Sequence, residues 1–245
     1  MNQSILVPIF ALALTLFPAS GMSFDHSYSE LTKILTTYVN EAGMVNYEKL
    51  KANRSALDSY LKSSGAVTKK EFSSWNANDQ LAFLINHYNA ETLQLIIDEY
   101  PVTSIKKLGT LFTSPWKLKS VQLFGNSNTL HHIEHEILRK DYNEPRIHFA
   151  LVCAAISCPP LRAEAYVGTS LNDQLNDQAR VFLKQNNKNR IEGDTLYLSS
   201  IFDWFKSDFT KSGKSINEYL NPFIDGDATG KKIQYTKYDW SLNKQ

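Results

Sequence analysis

Cys158 is the residue of this chain best suited to nucleophilic chemistry. It ends an almost wholly apolar stretch that begins at Ile147, and Pro159 and Pro160 follow it directly. Because each proline fixes its φ angle and has no backbone N–H to donate, the chain must leave any regular element at this point. A rigid, partly exposed thiol at such a bend is a candidate nucleophile, and we predict a catalytic role for Cys158.

Two histidines close in sequence can supply the base that a thiol needs. His135 follows Glu134, and His148 lies upstream of Cys158 in the apolar stretch. In such a constellation the imidazole takes the thiol proton and a carboxylate orients the imidazole. On a helix His135 lies roughly 200° from Ile133 and so faces away from the apolar stripe. The apolar neighbours of His148 favour a core position. We therefore rank His135 ahead of His148 as the base, with Glu134 orienting it.

Two other chemistries compete with this prediction. Cys153 and Cys158 are the only cysteines and lie close in sequence, so a small disulfide is one alternative in an oxidising compartment. If residues 147–155 are helical, Cys153 is instead an inert thiol that faces the core. The run from His131 to His135 also fits the His-x-x-Glu-His pattern of inverted zinc peptidases. No third ligand stands out, so we assign no metal ligand and predict no cofactor.

Four further polar residues are candidates for substrate binding, namely Asn86, Asn89, Ser157 and Arg162. The two asparagines interrupt an apolar helical pattern, so they either hydrogen-bond neighbouring backbone, which we favour, or face a cleft. Backbone amides near Ser157, or the Asn86 amide, are expected to stabilise an oxyanion. Arg162 suits a substrate carboxylate, and pairing with Glu134 is an equal alternative.

The elements that must position these residues are mainly helical. Apolar residues recur at helical spacing in four stretches, which are 28–39, 47–61, 80–100 and 171–183. A short segment after Thr68 and a segment from Thr129 or Leu130 to Arg139 are also predicted helices. Residues 115–128 predict a hairpin or short strand, and residues 190–198 a hairpin that turns at Gly193. We predict an α+β fold, a mainly helical single domain with a small antiparallel sheet or hairpins, whose aromatic-rich end is irregular.

Composition restricts the partners and the location. The 245 residues are 42% hydrophobic and 21% charged, which suits one globular domain. A net charge of +1 gives no field that would collect nucleic acid or anionic lipid. We therefore predict no nucleic-acid partner and no membrane contact beyond the leader. An apolar run followed by small residues predicts a signal peptide, or an uncleaved anchor, over residues 1–21 and the domain over 22–245. The expected location is periplasmic or secreted.

The chain resembles a family of uncharacterised proteins, domain of unknown function 547 (DUF547). The segments that carry the resemblance are 81–90, 133–135, 147–162 and 201–205. The family motifs fall on a set of polar residues already singled out by their chemistry, namely Asn86, Asn89, Glu134, His135, His148, Ser157, Cys158 and Arg162. The resemblance thus implies a shared site. Histidine at position 131 is not part of the family pattern, which disfavours the zinc alternative.

These observations favour a cysteine-dependent hydrolase or acyl transferase that uses a Cys/His/Glu constellation on a small-molecule or peptide substrate. A non-catalytic ligand-binding or interaction module is the alternative. The chain has 4 tryptophans, 12 tyrosines and 13 phenylalanines, and some of these can line a ligand groove.

Overall fold

The computed structural model describes residues 23–110 and 112–245, and the predicted leader, residues 1–21, lies outside them. The fold is α+β and mainly helical, as predicted. The helices are α1 (Ser29–Tyr38), α2 (Tyr47–Ala52), α3 (Ser55–Gly65), α4 (Lys69–Ser74), α5 (Ala77–Glu99), α6 (Arg139–Asp141), α7 (Ile147–Ala150), α8 (Leu171–Leu183), α9 (Ile201–Trp204), α10 (Lys206–Phe209) and α11 (Ile216–Leu220). The strands are β1 (Val121–Leu123), β2 (Asn126–Asn128), β3 (Arg190–Glu192), β4 (Thr195–Ser199) and β5 (Lys232–Thr236).

Helix α5 is the centre of the larger core. Asn76 caps its N-terminus, where the side-chain oxygen accepts from the backbone N–H groups of Asn78 and Asp79 at 3.0 Å each. The helix is buried on most sides and packs against α2, α3 and the helical segment before α6. It ends at Glu99, because the residue before Pro101 disfavours helical geometry. None of the helices in the described ranges is both long and apolar enough to cross a bilayer.

The helical segment before α6 is a π-helix. It spans His132–Leu138 and leads directly into α6. The backbone N–H of Arg139 donates to the carbonyl of Glu134, which is the five-residue spacing of a π-turn. Glu134 and its neighbour His135 both line a pocket that Cys158 also lines. The sequence predicted a helix here but not its wider turn.

Two small sheets complete the fold. Strands β1 and β2 form the predicted antiparallel hairpin, and β3 and β4 form the second one, which turns at Gly193 with φ at +54°. Strand β5 pairs parallel to β4, from Thr195 with Lys232 to Ser199 with Thr236. Parallel pairing requires a crossover connection, and helices α9 to α11 lie within it. The sequence predicted an irregular segment here. That prediction is wrong for Lys232–Thr236, which form a strand of a mixed sheet.

A second core lies between α8, β4 and the three helices of the crossover. Its largest members are aromatic, namely Phe149, Phe182, Phe202 and Phe209. Phe149 belongs to α7, so this core fixes the helix that carries His148. The position of His148 therefore depends on contacts with residues far along the chain.

The segment 238–243 lies beside residues 154–157 and is bonded to them through the backbone. The N–H of Ile156 donates to Ser241 at 2.8 Å, the N–H of Ser157 donates to Asp239 at 3.1 Å, and the N–H of Asn243 donates to Ala154 at 3.1 Å. This pairing places Tyr238 and Trp240 next to the bend that carries Cys158.

Candidate functional site

The four predicted catalytic residues line one pocket. Its volume is about 190 Å³, and Cys158, His148, His135 and Glu134 all contribute to its wall. The remaining wall is mainly apolar and comes from Tyr88, Trp116, Leu151, Cys153, Pro159, Ile201, Trp204, Phe205, Tyr238 and Trp240. Residues from α5, the π-helix, α7, α9 and the segment 238–243 thus meet around the two cysteines.

Asn89 explains why helix α7 is short. Its side-chain amide donates to the carbonyl of Ala150 at 2.9 Å, and its oxygen accepts from the N–H of Val152 at 2.9 Å. These bonds take the backbone groups that a longer helix would use, so α7 ends at Ala150. The helix therefore does not continue to residue 155, as the alternative that placed Cys153 in the core required. Cys153 instead lines the pocket.

The backbone between the two cysteines is bent around the Cys158 sulfur. Ala154 has φ at +58°, a left-handed conformation that costs energy for any residue with a Cβ. The N–H of Cys153 donates to the Sγ atom of Cys158 at 2.8 Å. Cys158 is only 4% exposed, less than the partly exposed thiol expected, because Cys153 and Tyr238 lie against it.

The two cysteines are free thiols with opposite acidities. Burial alone would raise the pKa of Cys158. Hydrogen bonds from the Cys153 thiol, the Tyr238 hydroxyl and the N–H groups of Cys153 and Ala155 outweigh burial, so the pKa of Cys158 falls below its usual value. The pKa of Cys153 is raised well above its usual value by its hydrogen bond to Cys158 and by burial. The thiolate therefore forms on Cys158.

His148 has the partners of a catalytic base. Its Nε2 atom lies 2.7 Å from Oδ2 of Asp208, a residue of α10 that the sequence analysis did not select. Since a carboxylate only accepts, Nε2 carries the proton and Nδ1 is left as the basic nitrogen. The ring stacks on Phe205 with centroids 3.9 Å apart. Burial lowers the pKa of His148 despite Asp208, so the imidazole is neutral at pH 7.

His135 has a different partner, Arg139, which occupies its basic nitrogen. The Nη1 atom of Arg139 lies 2.7 Å from Nδ1 of His135. Because a guanidinium only donates, Nδ1 must accept, and the proton is on Nε2, 4.0 Å from a Glu134 oxygen. Burial and the nearby positive groups His131 and Arg139 lower the pKa of His135 to about 4. In this arrangement His135 has no free lone pair for the thiol proton.

Glu134 is a buried carboxyl on the pocket wall, and the Tyr88 hydroxyl donates to its Oε2 atom at 3.1 Å. Burial raises the pKa of Glu134 to about 7, although Tyr88 and Arg139 oppose the shift. Glu134 is thus close to half protonated at neutral pH and can either give or take a proton.

Arg139 connects the histidine pair to Asp208. Its Nε and Nη2 atoms donate to the two oxygens of Asp208 at 2.6 and 2.9 Å, while Nη1 bonds His135. This bidentate pair and the bond to His148 keep the pKa of Asp208 well below its ordinary value, in spite of burial. The Asp208 carboxylate is therefore ionised next to the imidazole that it orients.

The four predicted binding residues are absent from the lining of this pocket. Asn86 donates to and accepts from the backbone of Tyr166 at 2.7 and 2.9 Å. Both Asn86 and Asn89 therefore use their amides to tie down backbone, which is the structural role favoured above. The Ser157 hydroxyl accepts from the N–H of Asp239 at 2.8 Å.

Arg162 also lies away from the pocket, where it forms ion pairs with Glu164 and Asp177. Arg162 therefore does not pair with Glu134, which was one of the partners considered from the sequence. All three guanidinium nitrogens contact one of these two carboxylates. A substrate-binding role for Arg162 stays a prediction.

Aromatic side chains form the outer wall of the pocket. Trp204 stacks on Trp240 with centroids 5.7 Å apart and packs against Tyr238 at 4.7 Å. Trp204 remains 47% exposed and so lies at the mouth. The aromatic content of the sequence predicted that some tryptophans line a ligand groove. Trp116, Trp204 and Trp240 line the pocket, whereas Trp75 packs against Phe24 and Phe83 instead.

In the described ranges, no group of three or more His, Cys, Asp or Glu side chains is arranged to hold a metal ion. The rings of His131 and His135 do lie 4.4 Å apart. However, the positively charged Arg139 occupies Nδ1 of His135. Among the described residues, no third His, Cys, Asp or Glu side chain joins His131 and His135 in an arrangement that could hold a metal ion.

The fold and the site define a mainly helical α+β domain in which free thiols share one pocket with a buried imidazole that is hydrogen-bonded to a carboxylate behind it. Residues 72–183 match the family model described as a protein of unknown function, DUF547, which confirms the resemblance. The match contains the segment from Asn86 to Arg162 that carries most of the motifs. The segment 201–205, which was also part of the resemblance, lies outside it. No curated protein and no solved structure matches the chain.

Proposed function

We propose that this protein is a cysteine-dependent hydrolase or acyl transferase acting on small-molecule or peptide substrates. Cys158 is the nucleophile, His148 the base and Asp208 the residue that orients the imidazole. The observation that carries the proposal is that His148, whose Nε2 atom lies 2.7 Å from Asp208, lines the same pocket as a thiol of lowered pKa. Compared with the sequence prediction, His148 replaces His135 as the preferred base, and Asp208 replaces Glu134.

The reaction follows from these partners. The Cys158 sulfur attacks the carbonyl carbon of the substrate, and Nδ1 of His148 takes up the thiol proton. The Asp208 carboxylate stabilises the imidazolium that forms. His148 then returns the proton to the leaving group as the tetrahedral intermediate collapses to a thioester. Water completes a hydrolysis and a second nucleophile completes a transfer. Glu134, with a pKa of about 7, is placed to donate a proton to an oxygen of the substrate.

A ligand-binding module is the second candidate, and the burial of the thiol favours it. Cys158 is 4% exposed, so a substrate carbonyl must displace neighbouring side chains to reach its sulfur. The apolar wall around Trp204 and Trp240 suits a flat or apolar ligand with or without chemistry. Measured turnover separates the two candidates.

The test uses p-nitrophenyl acetate, an activated ester that reports acylation of any competent thiol. We expect a burst of p-nitrophenolate from the full chain and an acetyl group on Cys158 in the intact mass and peptide map. Cys158→Ala should abolish the burst, whereas Cys153→Ala should retain it at a lower rate, because the Cys153 thiol lowers the pKa of Cys158. A burst that survives Cys158→Ala refutes the proposal. Tight binding of aromatic ligands without any acylation supports the module.

A matched pair of variants tests the choice of base. His148→Gln and His135→Gln each replace one imidazole of the same pocket by an amide. We expect His148→Gln to slow acylation by about 10²-fold or more, the usual contribution of general base catalysis, and His135→Gln to have a smaller effect. The reverse order restores His135 as the base.

A further inference from the structure

A second cavity lies behind the Cys158 bend. Its volume is about 210 Å³, and Cys158 and Pro159 line both this cavity and the pocket described above. The other side of this rear cavity is formed by residues that include Gly43, Gln185 and Lys188. The backbone of the bend therefore separates two spaces, of which the proposed reaction uses only one.

The rear cavity contains a buried lysine without an acidic partner. Lys188 is 8% exposed, and its Nζ atom donates to the carbonyl of Cys158 at 2.7 Å. No carboxylate among the described residues lies within ion-pair distance of it. An ammonium group has three protons to donate, and a buried charge is costly unless it is paired. Burial lowers the pKa of Lys188 to about 8.

Gln185 adds an unused acceptor to the same cavity. Its Oε1 atom is buried and has no hydrogen-bond partner within the described part of the chain. Such atoms are rare in folded proteins and are often satisfied by a bound water or ligand. Gln185 and Lys188 lie on one turn after α8, where the N–H of Lys188 donates to the carbonyl of Gln185 at 2.8 Å. Gln185 and Lys188 thus line one small space, and a ligand that bonds the buried Gln185 oxygen must displace the atoms that cover it.

We propose that the rear cavity binds a small α-amino or α-hydroxy acid, whose carboxylate pairs with Lys188 and whose amino or hydroxyl group donates to Gln185. The volume suits a ligand of few atoms, since sites for drug-sized molecules measure roughly 300–1,000 Å³. This site does not depend on the proposed reaction, because neither contact involves the thiol. The ligand carboxylate would pair with the Lys188 ammonium, which also donates to the backbone carbonyl of Cys158.

The test compares three small probes on the full chain by two-dimensional NMR at constant ionic strength. Glycine offers both groups, acetate only the carboxylate and glycinamide only the amine. We expect saturable shifts of the amide signals of Gly43, Ile156 and Asn187 with glycine, weaker binding of acetate at the same signals, and no response to glycinamide. Equal responses to glycine and glycinamide would overturn the proposal.

Variants separate the two contacts. Lys188→Met should weaken acetate and glycine by about tenfold or more, the loss expected for a charged hydrogen bond. Lys184→Met removes an exposed lysine of the same turn, and binding should not change. Gln185→Leu should abolish the preference for glycine over acetate and keep acetate binding. Unchanged binding in Lys188→Met rules the site out.

The pH dependence of acetate binding tests the lysine without any variant. Acetate stays ionised above neutral pH, so its affinity should fall as the pH rises through the pKa of Lys188. Affinity that is flat across that range contradicts a role for this ammonium. These measurements concern binding alone, so a positive result remains valid even if Cys158 is not acylated. Conversely, acylation of Cys158 remains valid evidence for the proposed reaction if none of the probes binds.

Discussion

Replacing Asp208 by asparagine should both destabilise the fold and impair the base. The carboxylate accepts two hydrogen bonds from Arg139 at 2.6 and 2.9 Å and one from His148 at 2.7 Å. The side chains of Arg139 and Asp208 are 23% and 21% exposed, so the pair lies between the surface and the core. Exposed pairs contribute at most about 1 kcal/mol, and breaking a fully buried pair costs about 3–5 kcal/mol. We therefore expect a loss of about 2–3 kcal/mol.

Thermal and chemical denaturation measure this loss. For a chain of this size each kcal/mol lowers Tm by about 2–4 °C, so a drop of about 4–12 °C is expected. Because the folded-state pKa of Asp208 is depressed, its stabilising charge is complete above its ordinary pKa of 3.8 and is lost as the pH falls through the lower folded value. The difference between wild type and variant should thus be constant from about pH 5 to 8 and narrow in acid.

The neighbouring exposed aspartate provides the control. Asp203→Asn removes one charge from α9, where Asp203 is exposed, and should leave Tm nearly unchanged. In the p-nitrophenyl acetate assay Asp208→Asn should slow acylation by about 10²-fold or more, since the imidazolium loses its counter-ion. If Asp208→Asn changes stability by less than about 1 kcal/mol, the pair is no stronger than a surface contact and the inferred orientation of His148 loses its basis.

Three further outcomes can be checked with standard assays. Iodoacetamide at neutral pH should label Cys158 before Cys153, as read by peptide mass mapping, and the opposite order would contradict the assigned acidities. Because the folded-state pKa of Glu134 is raised to about 7, its favourable effect is complete below 4.5 and is lost as the pH rises through about 7. The free energy of unfolding of Glu134→Gln, relative to that of wild type, should therefore rise between pH 5 and 8 by at most about 3 kcal/mol in denaturation curves. Gly43→Ala should destabilise the chain by about 1–3 kcal/mol more than Gly125→Ala. Both glycines have positive φ, but only at Gly43 would a Cβ lie 2.6 Å from the backbone of the proline bend. Equal costs would show that backbone strain alone decides.

The features that the sequence predicted are those encoded by neighbouring residues. The helix caps at Thr68 and the hairpin turn at Gly193 are local patterns, and the structure contains both. The convergence of Cys158, His148, His135 and Glu134 could be proposed because all four lie within one short stretch of the chain. Their residue types narrow the chemistry before any geometry is known.

The choice among these residues could not be made from the sequence. Asp208 lies on a helix of 4 residues, far from His148 in the chain, and no periodic pattern marks it. Arg139 decides the role of His135 through a single bond to Nδ1, which spacing alone does not reveal. Asn89 ends α7 by competing for backbone groups across the core. Each of these effects depends on tertiary contacts, which override local propensity.

The backbone bonds between residues 154–157 and 239–243 make this pocket depend on a segment that is synthesised long after the cysteine bend. Until Tyr238 and Trp240 leave the ribosome, the cysteine bend has neither the aromatic wall nor the strand-like neighbour that hold it. A nascent chain that has not reached this segment therefore lacks the Tyr238 hydroxyl that lies against the sulfur of Cys158. The segment 238–243 thus determines when the thiol becomes enclosed by its aromatic neighbours.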